Sequence, residues 1–132
     1  AAYLQSWNSK PLKVNGQGNR VDLNQESWIA PTLLNGFANY GASGFQPAGY
    51  FKDSCGRVFL RGLLERSAAS GASIFQLPVG YRPAKQTLFV IMANGNAARL
   101  DISSGGNVSV NTAVSATWYV YFSLDGLSFD TR

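Results

Sequence analysis

The run Ala98-Arg99-Leu100-Asp101-Ile102-Ser103-Ser104-Gly105-Gly106-Asn107-Val108-Ser109-Val110 spells out a β-hairpin. Side chains alternate across a strand, so Leu100 and Ile102 share one face and Val108 and Val110 continue it on the return strand. Ser104-Gly105-Gly106 supplies the turn, because glycine reaches positive φ without a steric penalty.

The same period of two recurs on both sides of the hairpin. In residues 117–124, Trp118, Val120, Phe122 and Leu124 fall on one face, and Thr117, Tyr119, Tyr121 and Ser123 on the other. The first set reads as core, and the second as a face that is half wet or packed on a neighbour. Residues 57–64 open with strict alternation, Val58 and Leu60 inward against Arg57, Phe59 and Arg61 outward. The stretch 58–69 contains Gly62, and reads as a strand leading to a turn rather than as a helix. Leu88-Phe89-Val90-Ile91-Met92 breaks the alternation. Five consecutive apolar residues predict burial on both faces, and in a two-layer sandwich the second face needs another subunit to cover it.

Short strands separated by Gly, Asn, Ser and Pro clusters every eight to twelve residues, without helical periodicity, predict an all-β domain, a sandwich or a barrel. The chain of 132 residues has room for one such domain. Residues 1–27 are polar, with sparse aliphatics and Gly/Asn turns. They read as a neck or linker, with the globular head over residues 28–132. The start at Ala1-Ala2-Tyr3-Leu4 has neither an initiator Met nor a charged leader, and reads as a fragment of a longer chain.

Composition narrows the function classes. Hydrophobic residues make up 45% of the chain, too many for a disordered tail, and charged residues only 14%, few for a monomer that covers its own surface. The formal charge is +4, but the 11 basic residues form no run or stripe, which argues against a nucleic-acid partner. No apolar stretch reaches eighteen residues, so no membrane-inserting helix is expected. Cys55 is the single cysteine and reads as a small buried residue or a turn residue, not a reactive thiol.

The chain contains no histidine, which excludes Ser-His-Asp and Cys-His catalysis and His-rich metal sites. Asp22, Glu26, Asp53, Glu65, Asp101, Asp125 and Asp130 form no pattern that singles out a glycosidase pair. They read as turn and surface carboxylates, Asp125-Gly126 and Asp53-Ser54-Cys55-Gly56 marking turns. No catalytic residue, metal site or cofactor is expected, and the chain is not read as an enzyme. Recognition by aromatics and amides remains, since sugars offer apolar CH faces ringed by hydroxyls. Tyr40 and Tyr50, with Phe45, surround the glycine-rich loop 41–49. Asn94 and Asn96 flank Gly95 in a turn, and Tyr119 and Tyr121 share a strand face with Arg57 and Arg61 as possible neighbours. These eight tyrosines, arginines and asparagines are the candidate receptor- or saccharide-binding residues. For each one taken singly, ordinary packing or a subunit contact is the competing explanation.

Four segments together resemble the C-terminal tip domains of tailed-phage tail fibres and receptor-binding proteins. They are Trp28 through Leu34-Asn35-Gly36-Phe37-Ala38-Asn39-Tyr40; Tyr50-Phe51-Lys52-Asp53-Ser54-Cys55-Gly56-Arg57-Val58-Phe59-Leu60-Arg61-Gly62; Leu77-Pro78-Val79-Gly80-Tyr81-Arg82-Pro83; and Leu124-Asp125-Gly126-Leu127-Ser128-Phe129. The resemblance covers residues 28–131, roughly four-fifths of the chain, and rests on the order and spacing of the segments. In the third, Pro78 and Pro83 restrict φ at the ends of a turn around Gly80, and Tyr81 folds back as an anchor. Cys55 departs from the pattern, which favours Asp, Asn or Gly before Gly56.

The resemblance implies a homotrimer of antiparallel β-sandwich heads, jelly-roll-like, at the distal end of a virion's tail fibre. It implies adsorption to a bacterial surface glycan or outer-membrane receptor, with the rest of the fibre as the N-terminal partner. Two rivals share the fold: a trimerisation or folding cap without a receptor site, and a free lectin.

Overall fold

Antiparallel strands account for all the regular structure in a computed structural model that describes residues 25–41, 44–65, 73–111 and 121–132, and none of these residues is helical. In chain order the strands are β1 (Ala38–Asn39), β2 (Gly49–Lys52), β3 (Arg57–Arg61), β4 (Leu63–Glu65), β5 (Ser73–Gln76), β6 (Thr87–Ala93), β7 (Asn96–Ile102), β8 (Asn107–Asn111), β9 (Phe122–Ser123) and β10 (Ser128–Asp130). They build a seven-stranded sheet in the order β1-β4-β9-β6-β7-β8-β5 and a three-stranded sheet in the order β10-β3-β2. The fold is a β-sandwich, as the alternation predicts.

The 98–110 hairpin is present as β7 and β8, with Ile102 opposite Val108 and Leu100 opposite Val110. All four side chains are buried, and Gly106 takes the positive φ of 86°. Across the sandwich they join Val58 and Leu60 of β3, Ile74 and Phe75 of β5, Phe122 of β9 and Phe129 of β10 in one core. Arg57, Phe59 and Arg61 point out of it, as their alternation requires.

Gly62 is where the chain changes sheets, between β3 and β4. Its φ is 121°, and a Cβ there would stand 2.6 Å from the Ala48 Cα and 2.7 Å from the Ala48 nitrogen. Only glycine allows so close a backbone approach. The kink is held on both sides: the Gly62 N–H donates to Asp125 Oδ1 at 2.8 Å, and the Gly62 carbonyl accepts from Leu124 N at 2.8 Å. The Asp125-Gly126 turn thus has a second task, orienting the crossover.

The expectation of two-sided burial for residues 88–92 does not hold within one chain. Ile91 is buried and Phe89 half-buried, but Leu88, Val90 and Met92 stay 55%, 78% and 47% exposed. The sandwich covers only the inner face of its larger sheet, so the outer side of β6 carries an apolar row with no protein layer over it among the described residues. Of the strand read over 117–124, the described part supports the core assignment: Phe122 and Leu124 are buried, Tyr121 and Ser123 half-buried. Trp118, Tyr119 and Val120 lie outside the described residues, as do residues 1–24 of the expected neck and residues 66–69 after β4. Cys55 is an exposed turn residue, not a buried one.

Candidate functional site

Asn94 and Gly95 join β6 to β7 with φ of 48° and 78°, two consecutive positive values that suit a tight antiparallel hairpin. Asparagine tolerates this region better than other non-glycine residues. Its side chain reaches sideways. Asn94 Oδ1 accepts from the Tyr121 N–H at 3.0 Å, while the Asn94 N–H donates to the Tyr121 carbonyl at 3.1 Å. Asn96 Nδ2 donates to the Asn94 carbonyl at 3.3 Å. The turn therefore holds Tyr121 just before β9.

Strand order brings a second tyrosine to the same place. β9 lies between β6 and β4, and β4 pairs with β1, which runs into Tyr40. The Tyr40 N–H donates to the Leu63 carbonyl at 2.9 Å, fixing its backbone on β4. The Tyr40 and Tyr121 rings meet edge-on with centroids 5.8 Å apart, and Phe45 meets Tyr40 at 5.5 Å. Both tyrosines are half-buried, and Phe45 is 55% exposed. The result is an aromatic row, Phe45–Tyr40–Tyr121, ending in the amides of Asn94 and Asn96. Aromatic edge and face surfaces beside amide donors and acceptors suit a ligand with apolar patches and hydroxyls.

Four of the candidate residues are thus brought together: Tyr40, Asn94, Asn96 and Tyr121. Phe45, a loop neighbour of Tyr40 in the sequence, joins them. Tyr119 lies outside the described residues. The other three are engaged elsewhere. Tyr50 is core, its ring 6.4 Å from Phe75 and 5.3 Å from Tyr81, and its backbone forms a reciprocal pair with Ile29 at 2.8 and 3.0 Å. Burial, and secondly the charge of Glu26, pushes its phenol above the ordinary value. Arg57 donates to Ser128 Oγ at 3.0 Å. Arg61 lies over the Trp28 indole at 4.2 Å, with its buried Nε left without a hydrogen-bond partner among the described residues. The arginines therefore brace the smaller sheet, a cation–π contact in the case of Arg61.

Glu26 carries a role that no sequence motif announces. Its Oε1 accepts from the Lys52 N–H at 2.6 Å and its Oε2 from the Tyr81 hydroxyl at 2.8 Å. The hydrogen bond to Glu26 comes first among the causes that push the Tyr81 phenol upward, followed by burial and by the charges of Glu26 and Tyr50. Lys52 Nζ donates to the Gly80 carbonyl at 2.9 Å and sits 5.1 Å over the Tyr81 ring. Tyr81 does fold back as an anchor, and Gly80 at the turn has a φ of 95°. No set of three or more metal-ligating side chains occurs among the described residues; Asp101 is held by Arg99 at 2.7 and 2.8 Å.

No family model matches the chain, and no curated protein matches its sequence. Among solved structures, the chain is similar to the receptor binding protein (gp15) of Listeria phage PSA, with 23% identity and a TM-score of 0.61. The match covers 80% of this chain and 65% of that one, so this chain spans slightly less than two thirds of the phage protein's length. At this identity the likeness is one of fold.

Proposed function

We propose that this chain is the receptor-recognition head of a phage tail fibre or tail receptor-binding protein, and that it adsorbs to a bacterial surface saccharide through the row Phe45–Tyr40–Tyr121 and the Asn94-Gly95-Asn96 turn. The observation that carries the reading is this aromatic–amide row, half-buried at its tyrosines and exposed at Phe45 and Asn96, on a sandwich whose fold a phage receptor binding protein shares. Rings present CH-stacking surfaces, and the exposed Asn96 amide at the end of the row offers an acceptor oxygen for a sugar hydroxyl. In this reading the head is one of three copies at the distal end of the fibre, and the segment before Ser27 leads back towards the virion. Three weak sites on one rigid body gain avidity on a dense polymer, because later contacts become intramolecular. No catalytic group is needed.

The test is adsorption of the isolated domain to bacterial cells and to arrayed surface glycans. Tyr40→Ala and Tyr121→Ala should each weaken binding at least about tenfold, a loss of about 1.4 kcal/mol, with the fold intact by circular dichroism. An assembled, folded domain that binds no cell and no glycan would leave the folding-cap alternative standing. A soluble monomer or dimer that agglutinates cells would favour a free lectin.

A further inference from the structure

We infer that Glu65 is the specificity-determining residue beside the Tyr40–Tyr121 row, and that the saccharide taken there is uncharged, offering adjacent hydroxyls to its carboxylate. The inference rests on the saccharide reading above and narrows it to a class of sugar.

Register places the carboxylate. β4 lies between β1 and β9, with Ala38 opposite Glu65 on one side, and Leu63 opposite Ser123 and Leu64 opposite Phe122 on the other. The next residue along that antiparallel register brings Glu65 across from Tyr121. Directly opposed residues share a face of the sheet, as do residues two apart in one strand. Tyr40, two residues after Ala38, therefore joins Glu65 and Tyr121 on the outer face, while Leu64 and Phe122 pack in the core. Leu63 lies on that outer face too, yet is only 6% exposed, because the Tyr40 and Tyr121 rings meet across β4. Glu65 stands at the margin of this aromatic cover, one strand spacing of about 5 Å from the Tyr121 backbone.

Hydrogen-bonding capacity selects the ligand. Glu65 is half-buried, and among the described residues it has neither an ion pair nor a hydrogen bond. An ionised carboxylate only accepts, so it needs donors. At the other end of the row, Asn96 gives Nδ2 to the Asn94 carbonyl, and its Oδ1 accepts nothing among the described residues. Both ends of the row thus present acceptors. Sugar hydroxyls supply donors, and two neighbouring ones match the two carboxylate oxygens. The carboxylate or phosphate of an acidic polymer supplies none, and Glu65 repels it at this range. The described arginines do not offset that charge, because each has a partner elsewhere: Ser128, Trp28, the Leu77 carbonyl, Asp101 and Asp130. The formal +4 of the whole chain favours an anionic partner at long range, but the charge at the row itself is negative.

The experiment measures binding of residues 1–132, at physiological salt, to neutral oligosaccharides of glucose, galactose and N-acetylglucosamine, and to two acidic probes, an oligogalacturonate and a phosphorylated glycan. Binding at the row is the part that Tyr121→Ala removes. The wild type should bind at least one neutral probe at least about tenfold tighter than either acidic one. Glu65→Gln keeps the shape and loses the charge, and should weaken neutral binding about tenfold with unchanged circular dichroism. Glu65→Lys should lose the neutral probes and gain the acidic ones. Three results would overturn the inference: a wild type that prefers an acidic probe at the row, a Glu65→Gln protein that binds neutral probes as tightly as wild type, or a Glu65→Gln protein that unfolds. The last would give the carboxylate a structural task instead. A wild type without any Tyr121-dependent binding ends the saccharide reading itself, whereas loss in Tyr121→Ala with Glu65→Gln unaffected ends only the role of Glu65.

Discussion

The two faces of the seven-stranded sheet are nearly equal in apolar content along β6 and opposite in what they touch. Inward, Ile91 packs with Leu100, Ile102 and Phe122 in the core, across from the smaller sheet. Outward, Leu88, Val90 and Met92 of the same strand meet no second layer among the described residues. Apolar content thus states that a face wants cover and leaves open whether the cover comes from the same chain. That difference separates the face that folding needs from the face it leaves open, and variants can be placed on either side of it.

The largest effect belongs to the inner face. Leu100→Ala empties a fully buried position between two strands and should destabilise the domain by about 2–5 kcal/mol, lost packing and cavity together. Its counterpart outside, Val90→Asp, should leave the stability of the single chain within about 0.5 kcal/mol of wild type. Urea unfolding of both proteins at high dilution measures the contrast. Equal losses would mean that the two faces are equally covered in one chain, and the distinction would collapse.

Next is the joint that lets one chain supply both sheets. Gly62→Ala forces a side chain into positive φ and against the Ala48 backbone, at a cost of at least about 2 kcal/mol. The expected signature is a lower unfolding midpoint with an unchanged urea slope. A neutral substitution would show that the 47–48 backbone yields, and that the register between the sheets is looser than the contact distances imply.

Local chemistry was legible in the sequence, and strand order was not. The 98–110 hairpin, the inward Val58 and Leu60, the Asp125-Gly126 turn and the Tyr81 anchor all follow from residues within a few positions of one another. Tyr40 and Tyr121 meet only because β9 and β4 lie between β6 and β1, a pairing of segments eighty residues apart with no local marker. Tyr50 looked like a loop aromatic because Gly49 precedes it, whereas the backbone pair with Ile29 and the Phe75 ring enclose it. Glu26 is one carboxylate among seven in the sequence, and only the fold brings the Lys52 N–H and the Tyr81 hydroxyl together on it. The β6 run is a different case: consecutive apolar residues report a need for burial, and the sequence names no partner.

The smallest effect concerns a second ion pair with the same two-residue spacing as Arg99–Asp101. Asp130 accepts from Arg132 at 3.0 and 3.1 Å through the guanidinium and at 2.8 Å through the backbone N–H. Those side-chain and backbone hydrogen bonds, with the charges of Arg132 and Arg57 behind them, hold its carboxyl at about 2. Because the folded value lies below the ordinary one of 3.8, whatever the pair contributes is fully present above that value. It is lost as pH falls through about 2. Water screens so exposed a pair, so its weight in global stability is small. A carboxyl titration followed by NMR should therefore give Asp130 a midpoint near 2, while the thermal midpoint barely responds to Arg132→Ala. A midpoint near 4 would mean that the contact does not persist in solution. The contrast with Arg99–Asp101 would then sharpen: Asp101 is buried in the folded chain, so its pair is shielded from water, whereas the pair at the terminus is washed by solvent.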